Sequence, residues 1–161
     1  MYFSRLLIIA LACLLTASCD QSISKHGWEI DVFDSASGQT HHIAETDIAH
    51  KLLVINYWAE WCKPCIAEIP ELNRFAQAEQ QHVVVIGVNF DNKQGTGLQE
   101  AMKKVGMAFP AALTKPETLF TLPEISGLPT TLILDEHGVL KKQLLGPQTY
   151  DSLEAAISEP Q

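Results

Sequence analysis

The segment Trp58-Ala59-Glu60-Trp61-Cys62-Lys63-Pro64-Cys65 holds two cysteines three residues apart, with a tryptophan before the first and a proline inside the pair. Upstream lies the apolar run Leu52-Leu53-Val54-Ile55, and downstream begins a stretch of helical period. The dithiol therefore falls where a strand meets a helix N-terminus, and there free N–H groups favour a thiolate. That placement points to thiol–disulfide exchange.

Working outward, Leu52 to Tyr57 is a continuous β-rich run, the mark of a strand covered on both faces. Pro64 sits near the start of the following helix, where its missing N–H costs nothing. Ile66, Ile69, Leu72, Phe75 and Ala76 recur at spacings of three and four, giving that helix one apolar face. Pro70 inside it predicts a kink. Val83 to Val88 is a second buried strand, and strand–helix–strand at this spacing implies parallel pairing. Trp28 to Phe33 alternates like a half-buried strand, Ser35 to Gly38 turns it, and Thr40 to Ile43 is its expected hairpin partner. Residues 92–97 read as a loop and Leu98 to Val105 as a helix. A short strand at Ala111 to Leu113 and a helical turn around Glu117 to Leu122 follow. Thr130 to Leu134 and Val139 to Leu145 flank the turn signal Asp135-Glu136-His137-Gly138, and Tyr150 to Ile157 closes the chain as an amphipathic helix. The order fits one α/β domain, a three-layer sandwich with a mixed central sheet and an N-terminal β extension.

The first residues add an address. Arg5 is followed by an apolar run from Leu6 to Leu15, a secretory signal too short to span a bilayer. Leu15-Thr16-Ala17-Ser18-Cys19 resembles a bacterial lipobox, in which the cysteine is lipidated. Thr16 departs from the usual leucine, and an ordinary signal cleaved near Ala17 is the alternative. The expected layout is a signal over 1–18, a lipid anchor and tether over 19–27, and the domain over 28–158. Asp20 after such a cysteine commonly retains a lipoprotein at the inner membrane. Of the four cysteines, Cys13 leaves with the signal and Cys19 carries lipid, so Cys62 and Cys65 alone remain for chemistry. A formal net charge of −8 argues against nucleic acid and against binding anionic lipid through a basic surface.

Trp61-Cys62-Lys63-Pro64-Cys65, then Gly127-Leu128-Pro129-Thr130-Thr131, then Asp135 and Gly138 together resemble the thioredoxin superfamily. Within it they are most similar to the membrane-anchored TlpA/ResA-type thiol–disulfide oxidoreductases of bacterial envelopes. The resemblance implies that Cys62 attacks, that Cys65 resolves the mixed disulfide, and that Pro129 follows a cis peptide bond facing the dithiol. It implies an acid–base role for Glu68, one helical turn after Cys65; Glu71 and Glu79 read as solvated helix carboxylates. Trp61, Lys63, Pro64, Leu128 and Thr130 would form the substrate-docking face. Asn56 stands where thioredoxin carries a buried aspartate, and an asparagine cannot exchange a proton. Implied partners are oxidised exported proteins, apocytochromes c among them, and a membrane thiol carrier that supplies electrons.

Two rivals remain. The same site could donate its disulfide instead of reducing others, or the domain could bind a metal or a partner without catalysis. No cofactor and no metal are expected, because structural zinc wants four ligands and there is no second cysteine pair. His26, His41, His42, His50, His82 and His137 show no ligand spacing relative to the cysteines and read as surface groups. A peroxidase reading lacks a distant resolving cysteine. The segment 92–122 is longer than a simple thioredoxin connection needs and is the expected seat of specificity.

Overall fold

A computed structural model describes residues 27–158. The expected signal over 1–18, the lipidation site Cys19 and the tether up to His26 lie outside the described residues. Seven strands form one sheet: β1 (Glu29–Asp34), β2 (Gln39–Ala44), β3 (Leu52–Trp58), β4 (Val83–Asn89), β5 (Ala111–Ala112), β6 (Thr130–Leu134) and β7 (Leu140–Leu145). The helices are α1 (Lys63–Ala78), α2 (Gly95–Val105) and α3 (Tyr150–Ser158), with 3-10 turns at Glu45–Ile48 and Pro116–Thr118. The strand order is β2-β1-β5-β4-β3-β6-β7. β4 pairs parallel to both β3 and β5, and the remaining pairs are antiparallel, so the sheet is mixed as expected.

β3 lies between β4 and β6 with both faces buried, which is why it reads as a β-rich run that is apolar but for Asn56. Its alternation sorts the core. Val54 and Trp58 face the helices, while Leu53, Ile55 and Tyr57 face the other way. The steps β3–α1–β4 and β4–α2–β5 move across the sheet in the same direction. Right-handed crossovers then place both helices on one face, and α3 joins them there. The third layer is not helical. Ile48 of the first 3-10 turn, between β2 and β3, covers the opposite face together with Phe120, Leu122 and Ile125 of the chain returning from β5 to β6.

α1 contains Pro70 as an interior residue; both Pro70 and Ile66, whose carbonyl loses its donor, are exposed, so water can take the vacant place. Two local expectations change. Ile66 is off the buried stripe, which is Cys65, Glu68, Ile69, Leu72 and Phe75. α2 begins at Gly95 instead of Leu98, with two glycines in its first turn. The turn before β7 behaves as its sequence says. Asp135 Oδ1 accepts from the amides of His137 and Val139. Gly138 has φ +78°, and a Cβ there would fall 2.4 Å from the Phe120 ring.

Candidate active site

β3 ends at Trp58, and a tight turn follows in which the Cys62 amide donates to the Ala59 carbonyl at 3.1 Å. Cys62 is the N-cap of α1, with extended backbone, and its Sγ accepts from the Cys65 amide at 3.3 Å. Pro64 occupies the first turn, where no donor is needed. Cys62 and Cys65 are joined by a disulfide with their Cα atoms 5.3 Å apart. Their exposures are 5% and 1%, so Cys62 is the sulfur nearer the surface. A groove of about 430 Å³ reaches Cys62 and is bordered by Trp61, Lys63, Pro64, Phe90 and the Ser126–Leu128 segment.

The far wall of that groove is set by the Leu128–Pro129 peptide, which is cis. Pro129 is buried beneath it, and its carbonyl accepts from the Gly146 amide at 2.9 Å. Of the expected docking residues, Trp61, Lys63, Pro64 and Leu128 line the groove. Thr130 does not: it is buried in β6, and its hydroxyl donates to the Gly127 carbonyl at 2.8 Å, fixing the turn before Pro129.

Beneath the disulfide is a closed polar group. Glu68 lies one turn beyond Cys65 on the same stripe and is only 2% exposed. Asn56 on β3 is paired in register with Thr131 on β6, so their side chains share a face. Asn56 Nδ2 donates to Glu68 Oε1 at 2.7 Å and to Thr131 Oγ1 at 3.1 Å. The Gln148 amide donates to Glu68 Oε2 at 2.9 Å. Burial outweighs these two donors and pushes the Glu68 carboxyl up to about 7. Asn56 Oδ1 has no hydrogen-bond partner among the described residues.

Glu71 and Glu79 are not simple solvated carboxylates. Glu71 accepts from the Tyr150 amide and Glu79 from the Tyr150 hydroxyl, both at 2.9 Å, and Arg74 lies 4.4 Å over that ring. Together with Glu68 they moor the start of α3 to α1. Sequence reasoning also missed Phe90 and Asp91. Phe90 is 44% exposed on the groove, and Asp91 accepts from Trp61 Nε1 at 2.9 Å, holding an indole that is itself 61% exposed. Glu60 pairs with Lys93 at 2.9 Å and Lys104 at 3.7 Å, chiefly through the Lys93 hydrogen bond that lowers its pKa, and so ties the cysteine loop to the loop after β4. No local pattern announces these contacts, since Trp61 and Asp91 are 30 residues apart.

The AhpC/TSA family model matches residues 27–143. The chain belongs to the AhpC/TSA family. Among curated relatives it is similar to the thiol-disulfide oxidoreductase ResA of Bacillus anthracis, 27% identical over 114 residues, covering 70% of this chain and 65% of that protein. The chain thus spans about two thirds of the length of such relatives. Among solved structures it is similar to the exposed lipoprotein thioredoxin Etrx1 of Streptococcus pneumoniae strain TIGR4, with TM-score 0.63 and 20% identity over 81% of this chain and 98% of that one. It is likewise similar to StoA of Bacillus subtilis, with TM-score 0.61 and 22% identity over 81% and 96%. These likenesses establish the thioredoxin-like fold.

Proposed function

We propose that this chain is an envelope thiol–disulfide oxidoreductase that mainly reduces protein disulfides through Cys62 and Cys65. The observation that carries the reading is the Cys62–Cys65 disulfide at the N-cap of α1, facing the Pro129 loop across a groove and backed by buried Glu68.

In the reduced state the Cys62 thiolate keeps the Cys65 amide as a donor and gains from the helix N-terminus. It attacks one sulfur of a substrate disulfide, forming a mixed disulfide and expelling the other substrate sulfur as a thiolate. Cys65, buried behind it, passes its proton to ionised Glu68 and attacks Cys62 Sγ. The Cys62–Cys65 disulfide forms, and the second substrate thiolate departs. Two electrons have moved to the substrate, and the released thiolates take up protons. Leu128, before Pro129, offers its backbone to an extended substrate segment, with Trp61, Lys63 and Pro64 on the opposite rim.

Each cycle ends oxidised, so a membrane thiol carrier must return two electrons. Oxidised exported proteins, apocytochromes c among them, are the substrate class. The sequence of residues 1–19 supports export and lipidation at Cys19, with Asp20 favouring the periplasmic face of the inner membrane. The lipoprotein character of the pneumococcal relative in fold agrees with that layout. No helix among the described residues is long and apolar enough to cross a membrane. Loss of the protein from the membrane fraction on Cys19→Ala tests the anchor.

The deciding experiment is equilibration of the Cys62–Cys65 couple against defined thiol buffers. A potential near about −270 mV, thioredoxin's own, supports the reductase. A value near about −120 mV makes it a disulfide donor, and failure to form the disulfide removes both redox readings.

A further inference from the structure

Glu29 and Asp31 stand two residues apart on β1, hence on one face, and Asp31 is directly opposite His42 of β2. Cross-strand neighbours hold their Cβ atoms about 4.5–5.5 Å apart, so register alone brings three polar side chains to one spot on the hairpin. His42 Nδ1 lies 3.0 Å from Glu29 Oε1 and closer still to Asp31 Oδ1. The three donor atoms all fall within 4.8 Å of one another. One imidazole nitrogen thus faces two carboxylate oxygens, although its single N–H can serve only one of them well. When the ring is neutral with its lone pair on Nδ1, this corner holds two negative charges and no positive one.

We propose that Glu29, Asp31 and His42 form a surface site for one divalent transition-metal ion, zinc foremost, independent of the cysteines. The spacing suits the ion. Zinc–nitrogen and zinc–oxygen bonds of about 2.0–2.2 Å at tetrahedral angles put neighbouring ligand atoms roughly 3.3 Å apart. The His42–Glu29 separation need open by only a few tenths of an ångström, and the closer His42–Asp31 contact by more, which these exposed side chains can do by rotation. The imidazole ligand favours zinc, copper or nickel over magnesium and calcium. Three protein ligands leave a coordination position for water.

The backbone beneath is set in advance, since β1 and β2 pair over the whole length of both strands. The ion would clamp β2, the edge strand, to β1. Four strand spacings separate β2 from β3, roughly 19 Å at about 4.8 Å each, so the ion takes no part at the disulfide. Sequence spacing against the cysteines could not reveal such a site, because its ligands come from two strands and meet only through their register.

Zinc chloride titrated calorimetrically into the full-length chain tests this, with the Cys62–Cys65 disulfide closed and Cys13 and Cys19 replaced by serine so that no thiol can bind. The expected result is one ion per chain with a micromolar Kd, undisturbed by excess magnesium. His42→Ala and Asp31→Asn should each weaken binding about tenfold or more. These side chains are all more than half exposed, so the substitutions leave the core intact. A parent protein that takes up no zinc, or uptake that survives both substitutions, overturns the site. So does uptake lost only in His137→Ala, which would put the ion at the separate Glu45–His137 pair.

Discussion

Two polar groups in this domain are built alike and behave differently. Under the disulfide, Asn56 and Thr131 meet across paired strands and Glu68 joins them from α1. On the hairpin, Asp31 and His42 meet across paired strands and Glu29 joins them along one. In both, cross-strand register pairs two polar side chains and a carboxylate joins them. Glu68 is sealed from water, and desolvation raises its pKa to about 7. The hairpin group sits in solvent, where screening and hydration weaken every pairwise term. Paired strands thus underlie a buried carboxyl with a raised pKa in one place and the proposed ion site in the other, and burial separates the two.

Removing the sulfurs should have the largest effect on that contrast. Cys62→Ser should lower disulfide-exchange turnover by roughly a thousandfold or more, as loss of a nucleophile does. Cys65→Ser should instead accumulate mixed disulfides through Cys62, visible on non-reducing gels. A Cys65→Ser protein that traps nothing would break the exchange assignment.

Glu68→Gln comes next. If Glu68 accepts the Cys65 proton, wild-type exchange rises with pH through about 7 as the carboxyl ionises. The variant should be about a hundredfold slower and lack that inflection in its pH–rate profile. An unchanged profile would make the buried group structural only.

Stability offers a readout free of catalysis. Glu68 holds its proton to about 7 in the folded oxidised chain, against an ordinary value of 4.5. Between those values the folded state binds more protons than the unfolded one, so this contribution to stability falls as pH rises. The loss across that window should be roughly 3 kcal/mol and should be much flatter in Glu68→Gln, as measured by urea unfolding.

Smaller effects belong to the exposed contacts. Asp91→Ala frees the Trp61 indole and should raise KM for protein substrates a few-fold, the worth of one hydrogen bond of about 1 kcal/mol. In the presence of a chelator, His42→Ala should change unfolding stability by no more than about 0.5 kcal/mol, as surface substitutions do. A large loss there would show that the hairpin group is structural, closing the gap between the two clusters.

The chain's own residues were informative wherever a signal is local. The strand–Cys-x-x-Cys–helix junction, the buried strands 52–58 and 83–89 and the Asp135–Gly138 turn each stand in a single short window, because period, turn chemistry and proline placement act within a few residues. Glu68 was legible as a candidate from its place one turn after Cys65. Its burial was not, because that depends on Asn56, Thr131 and Gln148, which reach it from β3, β6 and the approach to α3.

Position in sequence therefore determined which groups this protein has for chemistry, and where along the chain a strand hands over to a helix. The tertiary structure alone decided which carboxylate loses its water and which aspartate holds the rim tryptophan. It also put the three described helices on one face and left the other to the first 3-10 turn and the returning chain between β5 and β6. Those outcomes rest on strand order, crossover handedness and cross-strand register, which join residues tens of positions apart and leave no periodic trace in the chain itself.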